Sequence, residues 1–230
     1  MEKEARYRHE LKYQISRSDY LALRQRLKPV MKQDGHVRED GTYVIRSIYF
    51  DNYNDKALRD KVNGVPHREK FRIRYYNDDF SFIKLEKKVK DNGLCKKFSA
   101  RLAETECHRI MEGDIDWMKV HHEPLVRELY VKMKQGLLRP RVLVSYVREP
   151  YVYAPGNVRV TFDSQIRTSA FHRKYMEPYV HDISATDSPD TMVMEVKYDD
   201  FLPEIIGKLV QTRGVRVQAF SKYGASRRFG

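Results

Sequence analysis

The sequence predicts an α+β fold of about eight strands braced by helices, whose sheet would enclose a ligand-sized interior if it closes into a barrel. Three observations lead there. Short alternating runs rich in Tyr, Val, Ile and Phe dominate the 230 residues, and Tyr alone occurs 16 times; such runs favour strands. Strands and helices do not follow one another in the regular β-α-β order of a parallel sheet. Basic residues recur on one face of several strands whose other face is apolar, so helices must cover the apolar faces and the charged faces form a single surface. An eight-stranded sheet closed on itself leaves room inside for side chains or one small ligand.

The elements follow in order. Residues 8–15 alternate, with Leu11, Tyr13 and Ile15 on one face and Glu10 and Lys12 on the other. Ser16 can cap a following helix, with Asp19 as the capping-box acid and Ile15 placed to staple onto Tyr20. Leu21, Leu23, Leu27 and Val30 extend its apolar stripe past Pro29. Residues 44–50 read as a strand, and residues 54–62 as a short helix closed by Asn63-Gly64. Residues 69–76 set Arg72 and Arg74 opposite Phe71, Ile73 and Tyr75. Residues 80–89 set Lys84, Glu86 and Lys88 opposite Ile83, Leu85 and Lys87.

Asn92-Gly93 is a type I′ hairpin signal. A two-residue loop there pairs Asp91 with Leu94, Lys88 with Lys97 and Glu86 with Ser99. Paired residues share a face, so Lys97 joins Lys84, Glu86 and Lys88; a slip of one residue would bring Lys96 instead. Residues 102–112 and 124–135 read as helices. Residues 141–147, 157–162 and 192–198 read as strands, the last with Glu195 and Lys197 opposite Met194, Val196 and Tyr198. A helix over 203–213 begins with Pro and ends at Gly214. The chain closes on Ala219-Phe220-Ser221-Lys222-Tyr223. No linker, internal repeat or low-complexity tract interrupts it, so residues 1–230 read as one domain.

Lys and Arg total 44 against 32 Asp and Glu, a formal charge of +12, while apolar residues make up 41% and charged residues 33%. That balance describes an ordered globular chain with an anionic partner. No apolar run approaches the ~20 residues of a membrane span, and residues 1–14 carry no apolar signal region. Two cysteines, Cys95 and Cys107, in such a chain point to reduced thiols and a cytoplasmic address. P-loop, dinucleotide-binding, zinc-protease and nucleophile-elbow motifs are all missing.

What remains is charge on strand faces: Glu10 and Lys12; Arg72 and Arg74; Lys84, Glu86 and Lys88; Arg159; Glu195 and Lys197. A solvated face explains any one of these strands. Together, cations packed into an interior without counter-charge would each cost several kcal/mol, on the order given for buried ions. Such an interior makes sense when it is wet and receives a polyanion. Triphosphate suits the arginine forks, and the interspersed carboxylates suit a divalent ion bridging phosphates.

Eight segments then occur in an order that resembles one family: Arg-His-Glu-Leu-Lys-Tyr (8–13), Ile-Tyr-Phe-Asp (48–51), Lys-Phe-Arg-Ile-Arg-Tyr (70–75), Leu-Glu-Lys-Lys (85–88), Tyr-Val-Arg (146–148), Val-Arg-Val-Thr-Phe-Asp (158–163), Met-Glu-Val-Lys (194–197) and Phe-Ser-Lys-Tyr (220–223). Each is weak alone; in this order they are specific. From about Arg6 to Arg227 the chain resembles the polyphosphate-polymerase domain of the vacuolar transporter chaperone (VTC) family, within the CYTH-like triphosphate tunnel metalloenzymes. The resemblance implies an α+β domain built on a closed antiparallel β-barrel of about eight strands, a triphosphate tunnel that binds ATP and a growing inorganic polyphosphate chain.

By position, it implies a phosphate-binding lining of Lys12, Arg72, Arg74, Lys84, Lys88, Lys97, Arg148, Arg159, Lys197 and Lys222. Arg148 and Lys222 enter from the resemblance alone. Glu195 stands at the metal-coordinating position, with Glu10 and Glu86 as further carboxylates and Mn²⁺ or Mg²⁺ as the ion. Arg72, Arg74, Lys88 and Glu195 would carry catalysis. Hydrolytic relatives open with Glu-x-Glu-x-Lys, whereas this chain has Arg8 in place of the first Glu. That exchange weakens a site for metal-activated water and favours one that holds phosphate. Eukaryotic members also carry a phosphate-sensing domain and a membrane anchor; neither is read in this sequence, so a membrane-bound partner stays open.

The expectation is therefore a metal-dependent polymerase that moves the γ-phosphoryl group of ATP onto polyphosphate. A tunnel triphosphatase and a non-catalytic polyphosphate-binding module are the alternatives. Nucleic acid is not expected as a partner, because the cations are interleaved with Glu and no RNA-binding sheet motif occurs.

Overall fold

Alternation with a period of two sends one set of side chains to each face of a strand, and this rule builds most of the molecule. The computed structural model describes residues 8–92, 94–170, 175–176, 181–188, 190–212 and 220–229. In chain order the elements are β1 (His9–Ile15), α1 (Arg17–Leu27), β2 (Lys32–Gln33), β3 (Tyr43–Asp51), α2 (Lys56–Val62), β4 (His67–Tyr76), β5 (Asp79–Asp91), β6 (Leu94–Leu102), α3 (Glu104–Glu112), a 3₁₀ turn (Asp116–Val120), α4 (Pro124–Gln135), β7 (Arg139–Tyr153), a second 3₁₀ turn (Pro155–Asn157), β8 (Val158–Ala170), β9 (Ile183–Ser184), β10 (Met192–Tyr198), α5 (Glu204–Leu209) and α6 (Lys222–Phe229).

The strands form one ten-stranded sheet in the order β1-β10-β8-β7-β3-β4-β5-β6, with β2 added to β7 and β9 to β8. Every pairing is antiparallel. The expected closed eight-stranded barrel is corrected here. The edge strands β1 and β6 meet at a single bridge, Arg8 to Cys95, where the Arg8 amide donates to the Cys95 carbonyl at 3.3 Å. Among the described residues no ladder continues from it, so the sheet curls without closing. The α+β class is corrected with it: short helices lie on a dominant sheet, and the fold is mainly β.

Two apolar layers hold the helices to the outer face of the curl. Phe71, Ile73, Ile83 and Leu85 of β4 and β5 pack with Cys107, Ile110, Leu125, Val126 and Leu129 of α3 and α4. Leu23 and Leu27 of α1 and Ile206 of α5 pack with Val160, Phe162, Met194 and Val196. The capping box expected at the start of α1 is present: the Asp19 amide donates to Ser16 Oγ at 3.1 Å, and the Ser16 amide returns to Asp19 Oδ2 at 3.1 Å. A third cluster, including Ile45, Val142, Val144, Tyr146 and Tyr223, fills part of the concave side.

The hairpin register holds as expected, with Asp91 opposite Leu94, Lys88 opposite Lys97 and Glu86 opposite Ser99. Asn92 adopts the positive φ of 45° that this turn asks of its first central residue. Gly93 itself lies outside the described residues, as do Arg6, Arg213, Gly214 and Ala219. The helix expected over 203–213 is described as α5 up to Leu209.

Candidate functional site

The alternation that buries Phe71, Ile73 and Tyr75 on the outer side of β4 turns Arg68, Lys70, Arg72 and Arg74 inward. The same logic on neighbouring strands makes the concave face charged. It walls a cavity of about 490 Å³. The lining comes from β1 (Glu10, Lys12), β10 (Glu195, Lys197), β7 (Tyr146, Arg148), β3 (Tyr49), β4 (Arg68, Lys70, Arg72, Arg74), β5 (Lys88, Lys90), β6 (Cys95), α2 (Lys61) and α6 (Lys222, Tyr223), with Phe220 and Ser221 just before α6. Eleven of these side chains are cationic and two are carboxylates.

On one wall, charges are paired by register. Lys12 stands opposite Glu195 and Glu10 opposite Lys197; Arg148 stands opposite Asp163. Asp163 is fully buried and accepts both arms of Arg148, at 2.6 and 2.7 Å, with the Lys222 ammonium at 2.5 Å. Glu195, 4% exposed, meets Lys12 at 3.2 Å, Lys197 at 3.2 Å, Lys222 at 3.0 Å and Arg148 at 3.3 Å. Glu10 bridges Lys12 at 3.3 Å and pairs with Lys88 across the open seam. Burial opposes the charge on all three carboxylates. The cations outweigh it and hold them below their ordinary values, led by Lys12 for Glu10 and Glu195 and by Arg148 for Asp163. Lys12, Arg148 and Lys222 are raised in return, against burial, by the same carboxylates. Lys197 departs from this pattern: burial, helped by Arg148 and Lys88, overcomes Glu195 and Glu10 and brings it down to about 8.

At the centre, Arg72 binds Glu86 at 2.6 Å and donates to the Tyr49 hydroxyl at 3.0 Å. Arg74 donates to Ser47 Oγ at 3.2 Å and Tyr146 Oη at 3.3 Å. Tyr49 is pulled down to about 8, because Arg72 and Arg74 outweigh the burial that would raise it.

At the rim formed by α2, β4 and β5 the register does the opposite. Arg68 faces Lys90 and Lys70 faces Lys88, and like charges in direct opposition destabilise a sheet. Lys61 of α2 lines the same end. Among the described residues no carboxylate pairs with Lys61, Lys70 or Lys90. Arg68 donates to the Val65 carbonyl at 2.5 Å, and Lys70 lies 5.3 Å over the Tyr223 ring. Burial, then Lys12, Lys61 and Arg68, push Lys70 down to about 8 against the pull of Tyr49. Lys61 is lowered by burial and by Arg68 and Lys90.

Thus Glu10, Lys12, Arg72, Arg74, Lys88, Arg148, Glu195, Lys197 and Lys222 come together around one cavity. Four other expected residues do not line it. Arg159 is drawn to Asp34 at 2.7 Å and the Tyr43 hydroxyl at 2.8 Å. Lys84 lies over the Phe82 ring at 4.5 Å. Lys97, with a side chain 52% exposed, turns to Glu86 at 2.7 Å. Glu86, 1% exposed, is taken up by Arg72, Arg74 and Lys97 and stands behind the cavity lining, unlike Glu10 and Glu195. Arg8 is also corrected as a phosphate-holding cation: its guanidinium pairs with Asp199 at 2.8 Å and the Asn157 carbonyl at 2.5 Å, away from the cavity lining.

Sequence reasoning passed over Lys61, Arg68, Lys70, Lys90, Tyr49 and the supporting Asp163. Arg68 and Lys70 continue the alternation of Arg72 and Arg74, and Lys90 continues that of Lys88, so the signal was there. Lys61 sits on a helix and had none.

Among the described residues no three His, Cys, Asp or Glu side chains come together as a metal site. Glu10 and Glu195 offer two hard carboxylates on adjacent strands, both held by Lys12. This fits Mg²⁺ or Mn²⁺ only as such ions are commonly bound with nucleotides, through one or two carboxylates plus substrate phosphate oxygens.

Comparison with known proteins gives one family and one fold. The VTC domain family matches residues 7–229. HpAC1 from Hippeastrum, assigned as an adenylyl cyclase and described as revealing a dominant triphosphatase activity, superposes with a TM-score of 0.55 at 14% identity, over 97% of this chain and 96% of that one. A Bacillus halodurans protein assigned as an adenylate cyclase gives a TM-score of 0.49 at 13% identity, over 90% of this chain and 87% of that one. No curated protein matches the sequence. Among the described residues no helix is long and apolar enough to cross a membrane.

Proposed function

This chain belongs to the VTC domain family, and from that premise we propose that it is a metal-dependent polyphosphate polymerase that uses ATP. The observation that carries the reading is the charge of the cavity: eleven cations line it, and even with Glu86 and Asp163 behind the lining Glu10 and Glu195, only four carboxylates answer them. An excess of that kind is stable when a polyanion fills it, since unpaired buried cations are costly. Phosphoryl transfer asks little covalent chemistry of a protein and much positioning, which suits a cavity lined chiefly by cations.

In the proposed reaction the terminal oxygen of the phosphate chain attacks the γ-phosphorus of ATP. A new P–O–P link forms, the bond from the γ-phosphorus to the bridging oxygen breaks, and ADP leaves with the electron pair. Arg72 and Arg74, fixed by Glu86, Ser47 and Tyr146, would hold the equatorial oxygens as charge moves across them. Lys12 and Lys222 would neutralise the remaining phosphate oxygens. Glu10 and Glu195 would hold a divalent ion against those oxygens, where it supplies Lewis-acid charge.

The triphosphatase activity named for the Hippeastrum protein favours a second reading, in which water replaces the chain. Incubation of the purified protein with ATP and Mn²⁺ separates the two. A ladder of long phosphate chains with ADP supports the polymerase; orthophosphate as the main product moves the assignment to the triphosphatase. Tight phosphate-chain binding without turnover leaves a binding module.

A further inference from the structure

We infer that Tyr49 is itself a phosphoryl acceptor: its phenol oxygen takes the γ-phosphate of a first ATP and so starts a chain on the protein. This rests on the proposed function and goes past it, because extending a chain presupposes an end and leaves its origin open. Five side chains in the cavity lining carry a hydroxyl or thiol: Tyr49, Cys95, Tyr146, Ser221 and Tyr223. Four are engaged or shielded. Tyr223 donates to Asp51 at 2.5 Å, and Ser221 Oγ accepts the Gly224 amide at 3.1 Å. Cys95 turns its Sγ toward the Glu10 carboxylate at 3.9 Å, whose charge repels phosphate. The Tyr146 ring has Lys222 over it at 4.7 Å and Arg148 at 5.3 Å.

Tyr49 is placed differently. Register sets it opposite Arg72 on the same face, and its ring stacks on Tyr223 at a centroid distance of 5.2 Å. Arg72 uses Nε and Nη2 on Glu86, at 2.7 and 2.6 Å, and aims Nη1 at the Tyr49 hydroxyl at 3.0 Å. Nη1 carries a second hydrogen. A γ-phosphate oxygen taken by it lies beside the phenol oxygen, so one guanidinium positions both reactants. Among the described residues no acceptor takes the Tyr49 proton. Burial would raise this phenol, but Arg72 and Arg74 outweigh it and bring it down to about 8, which favours attack as phenolate. The step balances with ATP alone. The phenol proton passes to solvent, the phenolate oxygen bonds to the γ-phosphorus, and the bond from that phosphorus to the bridging oxygen breaks. ADP leaves with the electron pair. The product is an aryl phosphate, whose terminal oxygens are the same kind of nucleophile as a chain end, so a second ATP can extend it.

Mass spectrometry on the full chain tests this. The protein is incubated with ATP and Mn²⁺ without added polyphosphate, quenched early in denaturant and digested with trypsin. Residues 47–56 then form one peptide that holds Tyr49 and the exposed Tyr53. Fragmentation should place one or more phosphates on Tyr49 and none on Tyr53. The mapping is made on the wild type and stands whether or not any variant folds. Tyr49→Phe, which keeps the ring that stacks on Tyr223, should lose the label. Its rate from ATP alone, relative to its rate with sodium tripolyphosphate supplied as acceptor, should fall by at least about tenfold against the same ratio in wild type. Phosphate mapped to Tyr53, Tyr146 or Ser221 instead, or to no residue, overturns the inference and leaves the proposed function in place if ADP and chains still form. An unchanged ratio in Tyr49→Phe does the same. No ADP from the wild type, with or without tripolyphosphate, overturns both.

Discussion

On the β1-β10-β8-β7 side of the cavity, Lys12, Lys197 and Arg148 each face a carboxylate across the strand register. On the α2-β4-β5 side, Lys70 faces Lys88 and Arg68 faces Lys90. Both sides are half of one concave surface, built by the same alternation, yet they treat charge differently. The paired wall is complete in itself: Asp163 and Glu195 are almost fully buried and their cations saturate them. It is structure as much as binding site. The rim is a surface in want of an anion. The difference teaches that counting cations does not locate a ligand; one has to ask which of them the protein has already neutralised.

The sharpest way to break the comparison is to remove a carboxylate from the paired wall. Asp163→Asn takes from buried Arg148 and Lys222 the carboxylate they meet most closely, leaving them Glu195, and should cost about 3 kcal/mol, the low end for breaking one side of a buried pair. Lys90→Gln, on the rim, should stay within about 0.5 kcal/mol of wild type. Denaturant midpoints measure both. If Asp163→Asn is no more harmful than Lys90→Gln, the division between wall and rim is wrong.

Next in size is a division of labour between catalysis and affinity. Glu195→Gln should lower ATP turnover by roughly 10²-fold or more, on the scale of losing one electrostatic stabiliser, while long-chain polyphosphate still binds. Arg74→Ala should reduce both, because a guanidinium holds phosphate in the ground state and the transition state alike. Equal losses of chain binding in the two variants would erase that distinction.

Acid sharpens the comparison further. Glu10, Glu195 and Asp163 all titrate lower in the folded protein than in the unfolded chain. Their stabilisation is complete above the ordinary glutamate value of 4.5. Below it the unfolded state takes up protons first, so stability falls as pH falls until the folded groups protonate too. Thermal unfolding followed downward from pH 6 should show that decline, and Asp163→Asn should show a shallower one. A flat profile in wild type would mean the wall is not held by ionised carboxylates.

The smallest effect belongs to the rim. Lys70 titrates near 8 when folded, against 10.5 ordinarily. Its folded pKa is depressed, so its charge opposes folding, fully below pH 8, and this penalty disappears between about 8 and 10.5 as the folded group loses its proton before the unfolded one. Lys70→Gln should therefore be slightly more stable than wild type at pH 7, with the advantage shrinking as pH rises through that window. A variant less stable at pH 7 would show that Lys70 has a counter-charge after all.

Much of this was legible in the sequence. The β5–β6 register followed from Asn92-Gly93 because a two-residue turn fixes which residues face each other, and β10 and α4 were bounded correctly because their alternation and helical period are clean. Closure was not legible, since whether two edge strands meet depends on summed twist and on only one bridging pair, Arg8 and Cys95. The paired character of the wall was also hidden. Arg148 and Asp163 lie on different strands, and a bulge between Ser145 and Val147 shifts their register, so no spacing rule connects them. Arg159 and Lys84 had the right face but the wrong neighbours: Asp34 and Phe82 draw them aside.

One carboxylate ties the two halves together. Asp51, at the end of β3, accepts the backbone amides of Ala57 at 2.9 Å and Leu58 at 3.1 Å, anchoring the start of the helix that carries Lys61. The same carboxylate accepts the Tyr223 hydroxyl at 2.5 Å, from the helix that carries Lys222. The two helices therefore share this buried pivot, and Arg227 of α6 adds a second tie at 3.0 Å to Asp55, just before α2. A displacement of α6 that keeps this bond must drag the first turn of α2 with it, and one that breaks it leaves a buried carboxylate short of a donor. Mechanically the wall and the rim are coupled through these contacts, although they lie far apart in the chain.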